Sequence, residues 1–208
     1  MSVAGVAEAQ FAPLLRAITD EALPVAGLAE RFARAAWTVV AEPGDRDTGT
    51  LLAVVGPVRA LELVVSGADA EAIADEVARR GDREPDVDTW TDALKRWRPR
   101  ADPQAALLAL RQAGRFGMRL LTPGDEHWPE RLDDLQEHAP FALWARGDVG
   151  RLAALDRSIA LLGARAATGY GEHVTIELAS GLVDRGFAIV SGAAYGVDGA
   201  AHRAALAS

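Results

Sequence analysis

The sequence contains no cysteine, and this absence excludes disulfide bonds and thiolate-bound metal ions. It also contains no apolar run close to the roughly 18–20 residues that cross a bilayer. The first residues, MSVAGVAEAQ, lack both the positive charge and the apolar stretch of a secretory signal. We therefore expect a cytoplasmic protein that does not bind membranes.

Positive charge is also scarce. The chain has 22 lysines and arginines against 30 aspartates and glutamates, which gives a net charge of −8. Residues 151–208 hold five arginines and five acidic residues, so the whole negative excess lies in residues 1–150. Non-specific nucleic-acid binding requires a basic face. The N-terminal part is therefore not expected to bind nucleic acid, whereas the neutral C-terminal part leaves room for a local anion site.

Helical patterns dominate residues 1–117, which we predict to form a helical N-terminal domain. Apolar residues recur at helical spacing over residues 25–40, and Asp102 followed by Pro103 predicts a further helix start. The segment VVGPVRALELV has two interpretations. It is similar to a helix-hairpin-helix DNA module, or it belongs to a plain helical bundle broken at Gly56-Pro57, which the acidic balance favours. Core or domain-contact positions are expected for four tryptophans: Trp37, Trp90, Trp97 and Trp144.

The pattern changes in residues 118–208. A short strand is predicted over 118–121, and two apolar runs, SIALLG and FAIVSG, are typical of strands buried on both faces. Each of these runs is followed by a loop and a helix. This β-loop-α-β-loop-α order predicts an α/β fold. We expect the helical domain to be followed by a truncated doubly wound parallel (Rossmann-like) sheet, incomplete at its C-terminus.

Two glycine-containing loops, GARAATGYG and SGAAYG, follow the two buried strands. Strands of a parallel sheet point the same way, so both loops are expected at the carboxyl edge, where ligands bind. Each loop leads into a helix N-terminus, which favours an anion. A dinucleotide site is disfavoured, because Gly163, Gly169 and Gly171 do not match G-x-G-x-x-G, and the second strand ends in Ser191 rather than an acid. The chain has no Walker lysine motif either.

Four polar side chains near these loops have competing interpretations. Arg165 suits bidentate phosphate contact, or it is a solvated or salt-bridged loop charge. Tyr195 stacks on a base or packs its ring against the following helix. Asp198 and His202, four residues apart, share a helix face. They form an acid–base pair, or act structurally at the helix start, or fix the second loop; the last two interpretations are favoured.

The stretch IALLGARAATGYGEHVTIELASGLVDRGFAIVSGAAYGVDGAAHRAAL closely resembles the DNA-processing protein A family (DprA, also called Smf). The family shows G-[ST]-R after a strand, then Y-G, then S-G-x-A-x-G-[IV]-D-x-x-A-H-x-x-A-L. The chain matches this last pattern from Ser191 to Leu206. It departs from the first at Ala164, where the family commonly has a hydroxyl residue.

The resemblance implies a protein that binds single-stranded DNA during natural transformation, protects it and helps load the recombinase RecA onto it. It implies no catalysis, cofactor or metal. The full-length family forms homodimers, and its members continue beyond the equivalent of Ser208, so we expect a shortened chain. From the loop pattern and the resemblance together, the expected DNA- or phosphate-contacting residues are Gly163, Arg165, Gly171, Ser191, Gly192, Ala193, Tyr195 and Gly196. The expected loop-shaping residues are Asp198 and His202.

Two further interpretations stand beside the DprA interpretation, which makes three in all. The LOG proteins of the wider Rossmann-like superfamily hydrolyse nucleoside monophosphates or sense nucleotides, and their two loops are similar. Their decisive P-G-G-x-G-T-x-x-E segment would lie beyond Ser208, and the helix carrying Asp198 and His202 favours the DprA family. The third interpretation is an inert fragment whose incomplete sheet exposes an unpaired strand edge.

Overall fold

A computed structural model describes residues 1–19, 25–81 and 86–208 of the chain. These residues form a mixed α/β structure that divides into two units, residues 1–149 and residues 150–208.

The first unit is mainly helical within its described residues. Its helices are α1 (Glu8–Arg16), α2 (Val25–Val40), α3 (Arg46–Val55), α4 (Pro57–Val65), α5 (Ala70–Gly81), α6 (Val87–Trp97) and α7 (Pro103–Arg115). Two antiparallel strand pairs accompany them: β1 (Ser2–Val3) with β2 (Val6–Ala7), and β3 (Met118–Leu121) with β4 (Leu143–Arg146). Short 3-10 segments cover Arg98–Arg100 and Glu130–His138, and a third, Val149–Arg157, begins at the last residue of this unit and continues into the second unit.

Local signals explain where these helices begin. Asp102 caps α7 by accepting a hydrogen bond from the Gln104 amide at 2.9 Å, and Pro103 occupies the first helical position, as predicted. Gly56 separates α3 from α4 with a φ of +83°, a conformation that only glycine adopts without strain. Pro57 then starts α4. The predicted break at Gly56-Pro57 is confirmed.

Aromatic side chains fill the core of the first unit. Trp37 and Trp97 are fully buried and meet edge to face, with ring centroids 5.4 Å apart. Phe11 stacks on Phe32 at 4.6 Å. Trp144 is half-buried against the same cluster. The core placement that the sequence predicts for the tryptophans is confirmed.

The strand pair β3–β4 lies in the first unit. Leu120 and Leu121 of β3 are buried, and Leu120 belongs to the helical core. Leu120 also donates its amide to the Ile18 carbonyl at 3.1 Å, at the end of the α1 region. The chain divides into its two compact units after residue 149, and the domain boundary that the sequence predicts after residue 117 stays a prediction.

The second unit has the predicted β-α-β-α order. It contains β5 (Ser158–Ala160), α8 (Gly169–Val183), β6 (Ala188–Val190) and α9 (Val197–Ala207). Strands β5 and β6 are parallel neighbours, with Ile159 opposite Ile189. Helices α8 and α9 share a small alanine-rich core with Ala179, Ala201 and Ala204. A full doubly wound, Rossmann-like sheet built on this pair remains a proposal.

The predicted burial of these two strands on both faces is wrong. Ala160 and Val190 are exposed, and the other strand residues are half-buried. The reason is that within residues 150–208 each strand has a single neighbouring strand. A strand needs layers on both faces and partners on both edges to be buried throughout.

Glu76 on α5 carries a pH-dependent contribution to the stability of the first unit. Its buried carboxylate forms ion pairs with Arg80 at 2.8 Å, with Arg59 at 3.6 Å and with Arg79. Burial opposes its ionisation, but the three arginines outweigh that effect and hold the pKa of Glu76 below its ordinary value of 4.5. The stabilisation is therefore present above about pH 4.5 and is lost as the pH falls below it.

We expect Glu76→Gln to lower the free energy of unfolding by about 1–2 kcal/mol at pH 7, and by clearly less at pH 3. Denaturant unfolding followed by tryptophan fluorescence measures both values. The neighbouring exposed Asp75→Asn is the matched control and should change stability little at either pH. An equal loss for Glu76→Gln at both pH values would contradict the ion-pair explanation.

No single helix in the described residues is long and apolar enough to cross a membrane. Helices α3 and α4 reach that length and composition only when taken together, and they are bent by 113° relative to each other.

Candidate functional site

The two glycine-containing loops start side by side in the second unit. Ala160 at the end of β5 is the register partner of Val190 at the end of β6. The Leu161 amide then donates to the Val190 carbonyl at 2.9 Å, which extends the pairing into the first loop. The first loop leads into α8 and the second into α9, so both helix N-termini lie at one edge of the pair, as the sequence predicts.

The loops contact each other directly through their backbones. The Val197 amide at the start of α9 donates to the Ala164 carbonyl of the first loop at 3.1 Å. Gly196 has a φ of +81°, and a Cβ placed there would lie 2.2 Å from the Ala164 oxygen and 2.6 Å from the Arg165 oxygen. No side chain fits in that gap. Glycine at 196 is thus required both by its backbone angles and by the close approach of the first loop.

Gly163 is held in the same junction. A Cβ on Gly163 would lie 2.7–2.9 Å from three atoms of the Val197 side chain. Its amide donates to the buried Asp198 carboxylate at 3.3 Å. Two glycines and one carboxylate therefore join the end of β5 to the first turn of α9.

Asp198 and His202 each face backbone of a loop. Asp198 Oδ1 accepts a hydrogen bond from the Gly163 amide. The other carboxylate oxygen, Oδ2, lies 3.1 Å from the position that a Cβ on Gly192 would occupy. His202 Nε2 lies 3.4 Å from the Ser191 carbonyl, and the Ser191 hydroxyl donates to the Leu161 carbonyl at 2.7 Å. The described residues show no hydrogen bond between Asp198 and His202. This geometry favours positioning of the loops over an acid–base pair.

Arg165 is exposed in the first loop. Its guanidinium forms no ion pair or hydrogen bond with any residue that the structure describes, which removes the salt-bridge alternative. In the second loop, the amides of residues 192–196 have no hydrogen-bond partner in the described part of the chain. Ala193 holds a left-handed φ of +55°, which is rare for a residue with a side chain. Five amide donors and one guanidinium in these two loops thus have no hydrogen-bond partner among the described residues.

Tyr195 projects from the second loop into solvent. The residue is 89% exposed, so its ring packs on no neighbouring helix. Of the two interpretations for Tyr195, packing against α9 is contradicted by the structure.

Gly171 differs from the other candidate residues. Its amide already donates to the Thr168 hydroxyl, 3.1 Å away, because Thr168 caps α8. Gly171 therefore does not offer this amide to a ligand in the present geometry. Thr168 was not among the predicted residues, although a threonine directly before the first residue of a helix is a recognisable N-cap signal.

Arg203 on α9 is a second residue that was not among the predicted site residues. It is exposed, and its Nη1 lies 3.3 Å from where a Cβ on Gly199 would be. The side chain thus reaches back along α9 towards the first turn of the helix. Nothing in the sequence marks this arginine, because its direction depends on the rotamer and not on its spacing.

In the described ranges, no group of three or more histidine, aspartate or glutamate side chains is placed to hold a metal ion.

Comparisons with known proteins agree on one family. A family model described as DNA recombination-mediator protein A matches residues 119–208. The chain is 37% identical over 179 residues to a putative DNA processing protein DprA of Mycobacterium tuberculosis, a match that covers 81% of this chain and 41% of that protein. It is 32% identical over 90 residues to DNA processing protein DprA of Bacillus subtilis, covering 43% of this chain and 30% of that protein.

A third relative is protein Smf of Escherichia coli, with 35% identity over 109 residues, which covers 52% of this chain and 27% of that protein. The chain therefore spans less than half of the length of the curated relatives that it matches.

Proposed function

The chain belongs to the DprA/Smf family of DNA-processing proteins, and we propose that it acts in DNA recombination by binding single-stranded DNA at the two joined loops of its second unit. The single observation that carries this proposal is the exposed, unpaired Arg165 beside the second-loop amides. An arginine and a row of backbone amides are the donors that hold a phosphate group.

The charge distribution supports a local site over a broad basic surface. Residues 151–208 have no net charge, and residues 1–150 carry the whole excess of −8. Affinity for a polyanion must therefore come from a few aligned donors. Such a site suits a single strand, because a flexible strand can bend its backbone into the edge formed by the loops. The site contacts phosphate groups and therefore binds with little preference for base sequence.

The proposal includes no chemical step. Phosphate contacts and base stacking account for sequence-tolerant binding without catalysis, cofactor or metal. By similarity to the family, we propose that the protein works in the cytoplasm during natural transformation, protects incoming single strands and helps load RecA onto them. We also propose that the full-length protein forms a homodimer.

The test is an anisotropy titration of the 208-residue chain with fluorescent oligo-dT over a salt series. We expect salt-sensitive binding that Arg165→Ala weakens about tenfold. If Arg165 neutralises one phosphate, the slope of log K against log salt should also become shallower by about 0.7.

The matched control is Arg185→Ala, because Arg185 is also exposed but follows the opposite end of α8, where its guanidinium donates to the Gly181 carbonyl. Its affinity for oligo-dT should stay within about twofold of the unsubstituted chain. Equal losses in both variants would mean that only overall charge matters. If the folded chain does not bind oligo-dT but hydrolyses nucleoside monophosphates, the LOG-like alternative is favoured.

A further inference from the structure

The exposed aromatic rings of the chain are concentrated at the edge formed by the two loops. The chain has only two tyrosines, and these are its most exposed aromatic residues: Tyr170 at 79% and Tyr195 at 89%. All five tryptophans lie in residues 1–149, where four are buried and one is half-buried. Keeping a large ring in water forgoes the free energy of burial, so an aromatic residue that stands free at a ligand edge points to a ligand.

Tyr195 stands next to the candidate phosphate site. It immediately precedes Gly196, and the Gly196 backbone presses against the Arg165 carbonyl, with only 2.6 Å left for a Cβ. Residues 195 and 165 are therefore carried on backbone segments in contact, although they are distant in sequence. An exposed ring and an exposed guanidinium are thus attached to adjoining backbone segments.

We propose that Tyr195 stacks on the base of the nucleotide whose phosphate lies at Arg165. This inference rests on the proposed function, and it adds a base-contacting residue to it. A nucleotide presents an anionic group and a flat apolar face a few ångströms apart, and this pair of side chains matches both. Stacking needs only the ring face, so it does not depend on the base sequence or on the tyrosine hydroxyl.

The experiment compares two oligonucleotides of equal length: oligo-dT and a strand of the same backbone whose sugars carry no bases. Tyr195→Ala should lower affinity for oligo-dT about tenfold and leave affinity for the abasic strand within about twofold. Tyr195→Phe, which keeps the ring, should bind oligo-dT like the unsubstituted chain. Phe116→Ala removes an exposed ring from the first unit and is the control, with no expected change.

The outcomes separate this inference from the proposed function. If Arg165→Ala weakens binding to both strands while Tyr195→Ala weakens neither, the phosphate site stands and the stacking role is overturned. Equal losses of Tyr195→Ala on both strands, or a loss in Tyr195→Phe as large as in Tyr195→Ala, would also overturn it. If the unsubstituted chain binds neither strand, the proposed function fails and the inference fails with it.

Discussion

Gly196→Ala is expected to lower the affinity for single-stranded DNA at least about tenfold and to destabilise the second unit by about 2–5 kcal/mol. Gly196 combines φ of +81° with ψ of −129°, a backbone conformation that is essentially limited to glycine. The new methyl group would also lie 2.2 Å from the Ala164 oxygen, which is backbone and cannot rotate away. The loops must separate, and the hydrogen bond from the Val197 amide to Ala164 breaks with them.

The measurement requires a probe of the second unit alone. Tryptophan fluorescence reports only on residues 1–149, because all five tryptophans lie there. Amide hydrogen exchange resolved by peptide should show faster exchange in α9 of the variant, while the fluorescence transition stays unchanged.

Gly169→Ala is the matched control for this substitution. Gly169 begins α8 at the same edge, has no positive φ, and a Cβ there meets no atom within 4 Å. Alanine also favours a helix more than glycine does. This control should bind DNA normally and be as stable as the unsubstituted chain. Normal binding and exchange in Gly196→Ala as well would show that the loops do not meet as described.

Asp125→Ala is expected to lower the free energy of unfolding of the first unit by about 3–5 kcal/mol. Asp125 and Arg31 form a buried, two-pronged ion pair that joins the turn after β3 to α2, with Arg31 Nη1 2.7 Å from Asp125 Oδ2. The same carboxylate accepts the Thr122 amide at 2.7 Å and the Thr122 hydroxyl at 3.3 Å. Its removal takes the neutralising charge from a buried guanidinium and one partner from a buried amide.

Denaturant unfolding followed by tryptophan fluorescence measures this loss. Asp134→Ala, which removes an exposed carboxylate from the following 3-10 segment, should change stability by less than about 0.5 kcal/mol. The double variant Arg31→Met/Asp125→Leu should recover much of the loss, because apolar pairs often replace buried ion pairs at little cost. A small loss in Asp125→Ala would show that the pair is solvated.

The sequence predicts those features whose causes are local. Asp102 and Pro103 mark the start of α7 because a cap and a first-turn proline act within a few residues. The break at Gly56 and the order of β5, α8, β6 and α9 follow from patterns of the same short range. The shared edge of the two loops follows from one further rule, the common direction of parallel strands.

Features that depend on distant neighbours were not predicted. The burial of β5 depends on how many strands flank it, and no pattern within the strand contains that information. The left-handed backbone of Ala193 and the direction of Arg203 are likewise set by surrounding atoms. Gly171 was predicted as a ligand contact from its position in the loop, whereas the structure engages its amide with Thr168.

The bonded junction between the loops also has a thermodynamic consequence. The Val197–Ala164 hydrogen bond and the close packing of Gly196 against the first-loop backbone hold both loops in one arrangement in the absence of ligand. A preorganised site loses little conformational entropy on association, so the ordering cost of complex formation falls on the flexible strand rather than on the protein.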